Sequence, residues 1–157
     1  IMLRIGKMTD YGIVILAEFA SKGGDSVHTT RSLARHTNLP VPTVSKLLKA
    51  LRRAKILVSQ RGATGGYRLS KDPEEISLAT VIEALEGPIA LTDCSNETGE
   101  TCPREASCPA SHNWQKLTCS IRRTFQDLTL ADIASHPTKE LLKQYPFETV
   151  SLAWGNR

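Results

Sequence analysis

The stretch from His28 to Leu57, HTTRSLARHTNLPVPTVSKLLKALRRAKIL, constrains this chain more than any other. It permits two short helices and forbids one long one. TNLPVP between them is turn chemistry, and a proline cannot donate the hydrogen bond that a helix interior needs. Thr29 or Thr30 can cap a first helix running through Arg35, and Pro42 suits the first position of a second. In that second helix Val44, Leu47, Leu48 and Leu51 recur at i, i+3, i+4 and i+7 and share one apolar face. At about 100° per residue, Pro42, Lys46, Lys49 and Arg53 point the opposite way. Ala34, Asn38 and Val44 fall where a helix-turn-helix wants a small residue, a residue tolerant of positive φ and a packed β-branched residue.

Immediately C-terminal to these helices, ILVSQ and YRLS are strand-like segments joined by the glycine-rich turn RGATGG. This is a wing. From Lys46 to Arg61 there are six basic residues and no acidic one. Residues 1–75 hold 13 Lys/Arg against 6 Asp/Glu, a net of +7, whereas residues 76–157 hold 7 against 10, a net of −3. A basic half with its cations gathered on one helix face and a wing tip is expected to meet a polyanion. A merely solvated basic face is the plainer reading, but helix and wing together favour double-stranded DNA. Pro42, Thr43, Ser45, Lys46, Lys49 and Arg53 are the expected contacts on the helix.

The rest of the chain reads as mainly α. TDYGIVILAEFA suggests a buried helix over roughly 9–21, capped by Thr9 and ended by the glycine pair in SKGGD. KDPEE is a linker, and Ser77 caps LATVIEALE, which stops at Gly87-Pro88. From about Pro109 a long amphipathic helix is predicted. Its seam, Trp114, Leu117, Ile121, Phe125 and Leu128, repeats at three- and four-residue intervals. Such a seam packs either into the core or against a partner helix, and homodimerisation is the expected use in a chain this short. Cys119 lies on the other side. A short helix comes after Thr129, and the tail from His136 carries no readable motif. The expected fold class is therefore mainly α with a small β wing: a winged helix-turn-helix over 2–75, a polar loop and dimerisation helix over 76–135, and a tail over 136–157.

The start, IMLRIGKMTDYG, lacks the apolar centre of a signal peptide, and no run of eighteen apolar residues occurs. A cytoplasmic location without a membrane partner is expected. No Ser/His/Asp constellation, no phosphate-binding glycine loop ending in Lys-Ser/Thr and no HExxH is present, so an enzyme is not expected.

LTDCSNETGETCPREASCPASHNW, from Leu91 to Trp114, holds Cys94, Cys102 and Cys108 and no large apolar side chain between its ends. Such a run cannot order itself by burial. Four explanations stand. Zinc prefers closely spaced Cys or His pairs, which intervals of seven and five residues match poorly. A disulfide switch leaves an odd thiol. Inert thiols usually hide in cores, whereas these sit among polar residues. An iron–sulfur cluster would take thiolates and order a polar loop, although the spacing matches neither common ferredoxin pattern.

KMTDYG, LPVPTVSKLLKALRRA, RGATGGYRLSKDPEEIS, EALEGPIALTDC and the later CP and CPASHNW, taken in order, resemble one family. It is the bacterial winged-helix repressors that include the cluster-assembly regulator IscR and the nitric-oxide sensor NsrR, and the likeness runs from Met2 to about Ala134. The greatest similarity is to members regarded as regulators of the SUF cluster-assembly operon. The resemblance implies that Cys94, Cys102 and Cys108 are cluster thiolates. It implies a fourth ligand from His112, four residues past the third cysteine instead of three, or from Asp10, reaching across a dimer. It further implies that Arg61 at the wing tip reaches the minor groove or flanking backbone. The first cysteine interval departs from the family's usual spacing, and both [2Fe-2S] and [4Fe-4S] centres stay open.

Overall fold

The computed structural model describes residues 4–95 and 102–135. Its elements run in the order α1 (Lys7–Ser21), α2 (Thr30–Thr37), α3 (Val41–Arg53), β1 (Leu57–Gln60), β2 (Gly66–Leu69), α4 (Leu78–Glu86), α5 (Ser111–Asp127) and α6 (Leu130–Ala134). Single 3-10 turns lie at Pro73–Glu75, Asp93–Ser95 and Glu105–Ser107. The expected tail over 136–157 lies outside the described residues, as do positions 96–101 of the cysteine run.

The mostly helical architecture with a two-stranded wing is the expected fold. Thr29 accepts a hydrogen bond from the Ser32 amide and caps α2. Asn38 takes φ 54°, ψ 33° and turns the chain toward α3, with its N–H donating to the Ala34 carbonyl. Helix α2 runs two residues past the predicted end, to Thr37, and α3 begins one residue early, at Val41, with Pro40 as its cap. Strands β1 and β2 pair antiparallel in the register Leu57 to Leu69 and Gln60 to Gly66. His28 adds a bridge to β2, exchanging both backbone hydrogen bonds with Tyr67 at 2.8 Å. A Cβ at Gly66 would stand 2.5 Å from the His28 carbonyl oxygen, so this close approach requires glycine.

A third predicted boundary is corrected. Helix α1 starts at Lys7 with Gly6 as its cap, not at Thr9. The Gly6 amide donates to Glu86 Oε1 at 2.6 Å, and the Gly6 carbonyl accepts from the Thr9 and Asp10 amides. A contact eighty residues away thus sets the start, and Thr9 is drawn into the helix and wholly buried. Its hydroxyl has no hydrogen-bond partner among the described residues.

Ile15, Leu16 and Phe19 of α1, Leu33 of α2 and Val44, Leu47, Leu48 and Leu51 of α3 meet in one core. Burying each such side chain stabilises the fold by about 1.5–3 kcal/mol relative to exposure. Leu57, Leu69, Ile76, Val81 and Leu130 join the same cluster, so α4 and α6 pack on the helix-turn-helix. Gly12 lets α1 approach α4 closely; a Cβ there would meet Leu85 Cδ1 at 2.5 Å. Helix α5 is attached more lightly. Thr118 is its single buried residue, and Arg122 Nε lies 3.1 Å from Glu83 Oε1 on α4. After α5 the chain returns to the core, where the Leu78 amide donates to the Leu128 carbonyl and the Leu130 amide to that of Ile76, both at 2.8 Å.

Candidate nucleic-acid interface and cysteine segment

Burying Val44, Leu47, Leu48 and Leu51 to 1% exposure or less forces the opposite side of α3 into water. Pro42, Lys46, Lys49, Arg52 and Arg53 are exposed there, and Thr43 and Ser45 are half-buried at its edge. Arg61 is exposed where β1 enters the wing turn, beside Gly62 at φ 114°. Between α3 and β2 lies a cleft of about 420 Å³ lined by Lys49, Arg52, Arg53 and Tyr67. Arg52 Nη1 donates to Ser59 Oγ of β1 at 3.4 Å, linking helix and wing. Among the described residues the ion pairs are Glu18 with Lys22 and His36, and Glu83 with Arg122; none engages a cation between Lys46 and Arg61. An uncompensated positive surface on the exposed face of a helix and its neighbouring wing is what a phosphate backbone attracts.

Arg52, Tyr67 and Val41 are additions to the expected contacts. Arg52 stands three residues after Lys49, so helical spacing could have found it. Tyr67 lines the cleft only because β2 folds back beside α3. Val41 is 48% exposed at the start of α3, where an apolar side chain suits a thymine methyl.

The cysteine segment begins after α4. Cys94 sits in the 3-10 turn Asp93–Ser95, and Cys102 and Cys108 flank the turn Glu105–Ser107; all three are free and half-buried, whereas Cys119 is free and exposed. Thr92 Oγ1 lies 3.2 Å from Cys94 Sγ and 3.0 Å from Ser95 Oγ. From α5, Gln115 Nε2 donates to the Cys94 carbonyl at 3.3 Å and to Glu105 Oε1 at 3.1 Å. His112 is exposed in the first turn of α5, and Asp10 is exposed in the first turn of α1.

Three free thiols supply three of the four donors that an iron–sulfur centre commonly takes, and partial burial suits one. In donor chemistry the residues fit. Their side chains do not converge in this conformation: among the described residues no three of His, Cys, Asp or Glu come together where they could hold a metal ion. The structure brings the cysteine-bearing turns onto the start of α5 and leaves Asp10 on α1.

The seam of α5 divides. Ile121 and Phe125 line a cavity of about 280 Å³ with Ile5, Ile82, Ile89 and Leu91. Trp114, Leu117 and Leu128 are 41%, 45% and 40% exposed. No helix among the described residues is long and apolar enough to cross a membrane.

A helix with an exposed basic face, an antiparallel wing and a shared core define a winged helix-turn-helix regulator of transcription. The family described as Rrf2, iron-dependent transcriptional regulator, matches residues 5–136, and the chain belongs to it. It is 31% identical over 138 residues to the transcriptional regulator CymR of Bacillus subtilis, covering 88% of this chain and 94% of that one. The solved structure of that protein, the global cysteine regulator of B. subtilis, superposes with a TM-score of 0.67 at 30% identity, over 87% of this chain and all of the other. A solved T. potens IscR superposes with a TM-score of 0.65 at 25% identity, covering 87% and 93%. The regulator NsrR of Halalkalibacterium halodurans is 25% identical over 146 residues, 92% of this chain and 100% of that one. CymR and NsrR are regulators of transcription, and likeness to IscR and NsrR is what the sequence motifs imply.

Proposed function

We propose that this regulator is a homodimer that reports iron–sulfur, redox or nitric-oxide status through a cluster held by Cys94, Cys102 and Cys108, and that it represses cluster-assembly genes. The observation that carries the reading is three free thiols on polar turns seated at the start of the helix with the exposed apolar seam. The fourth ligand is His112 or Asp10 of a second copy. When bound, the cluster supplies a crosslink that oxidants, nitric oxide and iron shortage can remove. The chain's own residues do the rest. Lys46, Lys49 and Arg53 anchor phosphates, Thr43 and Ser45 approach base edges, and Arg61 reaches the flanking groove. Two-fold symmetry calls for a roughly palindromic operator with half-sites about one helical turn apart. Residues 76–135 hold the sensing segment and residues 2–75 the DNA-reading part. Loss of the crosslink frees the turns on α5 and shifts the population toward a dimer with differently spaced wings.

A second reading is a cluster-free thiol-switch or ligand-responsive regulator of the same fold; the thiol switch is favoured by the similarity to CymR, whose Staphylococcus aureus counterpart has been solved in an oxidised form. Anaerobic purification with absorption spectroscopy and native mass measurement separates the two. The cluster reading expects iron and sulfide bound to a dimer, lost in Cys94→Ser and weakened in whichever of Asp10→Ala or His112→Ala removes the fourth ligand. A colourless, iron-free protein that still answers thiol oxidation by releasing DNA retires it.

A further inference from the structure

The sulfurs do not converge, yet one chain of hydrogen bonds reaches all three cysteines. Gln115 Nε2 spends one hydrogen on the Cys94 carbonyl and the other on Glu105 Oε1. The Glu105 amide donates to the Cys102 carbonyl at 3.0 Å, and the Glu105 carbonyl accepts from the Cys108 amide at 3.3 Å. Cys108 in turn accepts at its carbonyl from the Ser111 amide and from Ser111 Oγ, which ties it to the first residue of α5. Side-chain bonds across 21 and 10 residues therefore join turns that have no large apolar side chain to hold them together.

We propose that Gln115 and Glu105 form a clasp that sets the backbones of Cys94, Cys102 and Cys108 in register on α5, as positioning residues and not as ligands. The clasp holds the backbones of the three cysteines beside α5 before any inorganic group arrives, and loading then adds the crosslink that fixes the turns themselves. It deepens the cluster reading and rests on it for its consequence in the loaded protein, while the clasp itself is a property of the chain alone. Gln115 is exposed, so changing it leaves the core intact.

The test uses the full chain with Gln115→Leu, which removes the donor, Glu105→Ala, which removes the acceptor, and Glu105→Gln, which keeps an acceptor oxygen in place. Two measurements are made: peptide-resolved alkylation rates of the three cysteines in the metal-free protein, and loss of iron and sulfide to a chelator after anaerobic loading with ferrous iron and sulfide. Gln115→Leu and Glu105→Ala are expected to speed alkylation at Cys94 several-fold and cluster loss at least about tenfold, with Glu105→Gln close to the wild type in both. Unchanged alkylation and unchanged retention in Gln115→Leu overturn the clasp. A wild type that takes up neither iron nor sulfide defeats the cluster reading instead, and the alkylation rates then decide the clasp by themselves.

Discussion

Lys49 is exposed on the outer side of α3, lines the cleft beside Tyr67 and sits a turn from Arg52 and Arg53. Its ammonium is a flexible point charge suited to phosphate and not to base edges. Lys49→Ala is therefore expected to weaken operator and random duplex alike and to flatten the plot of log affinity against log salt by about one unit. A titration series by fluorescence anisotropy checks this, and altered sequence preference with an unchanged slope would contradict the assignment. The placement of Lys49 was legible because four buried residues at helical spacing leave the opposite face no choice. The role of Gln115 was not. Its two partners lie 10 and 21 residues away, and nothing in local spacing distinguishes it from any polar residue on a helix.

At the scale of elements, the caps explain most of the legibility. Thr29, Ser77 and Thr129 each accept from an amide three residues on, and all three helices start where the sequence predicts. Thr129 and Asp132 complete a reciprocal capping box, and hydrogen bonds from Thr129 hold the Asp132 carboxyl below its ordinary range. The attachment of the wing involves a group that sequence spacing did not mark. His28 is buried, bridges β2 through Tyr67, packs edge-on to Phe19 with centroids 4.8 Å apart and lies 2.9 Å from Ser26 Oγ. Burial, then repulsion by Lys22, lowers its pKa from the ordinary 6.5, with Glu18 opposing and His36 adding to the fall. The folded chain thus holds His28 neutral where the unfolded chain already takes a proton. Its contribution is whole above about pH 6.5 and is lost as pH falls from there through the folded pKa. Urea midpoints measured from pH 7.5 down to pH 5 should drop more steeply in the wild type than in His28→Gln. Equal slopes would remove His28 as the cause.

At the scale of the molecule, α5 is a long helix with one buried residue and two large apolar side chains, Trp114 and Leu117, more than two-fifths exposed. A surface of that kind on a regulator invites a second copy. Leu117→Glu removes no core packing, so its effect on the folded monomer should stay within about 0.5 kcal/mol. Analytical ultracentrifugation is expected to show the variant monomeric, with binding to a palindromic operator reduced to that of a half-site. A dimer that persists unchanged would move the interface elsewhere. The seam was legible as a stripe, but its division was not. Ile121 and Phe125 find Ile5, Ile82 and Leu91 within the same chain, because α4 and the segment before α1 close over that end.

By itself the sequence determined the helix-turn-helix, the wing, the basic face and the gathering of three thiols in a run without apolar weight. Each of these arises from local propensity, periodicity or composition, which act within a turn or two of chain. Only the tertiary structure decided where α1 begins, which part of the α5 seam remains open, and that one glutamine and one glutamate tie the cysteine turns together. Those depend on groups brought close by the collapse of a common core, and a hydrogen bond across eighty residues, such as that from Gly6 to Glu86, leaves no mark on the pattern around either end.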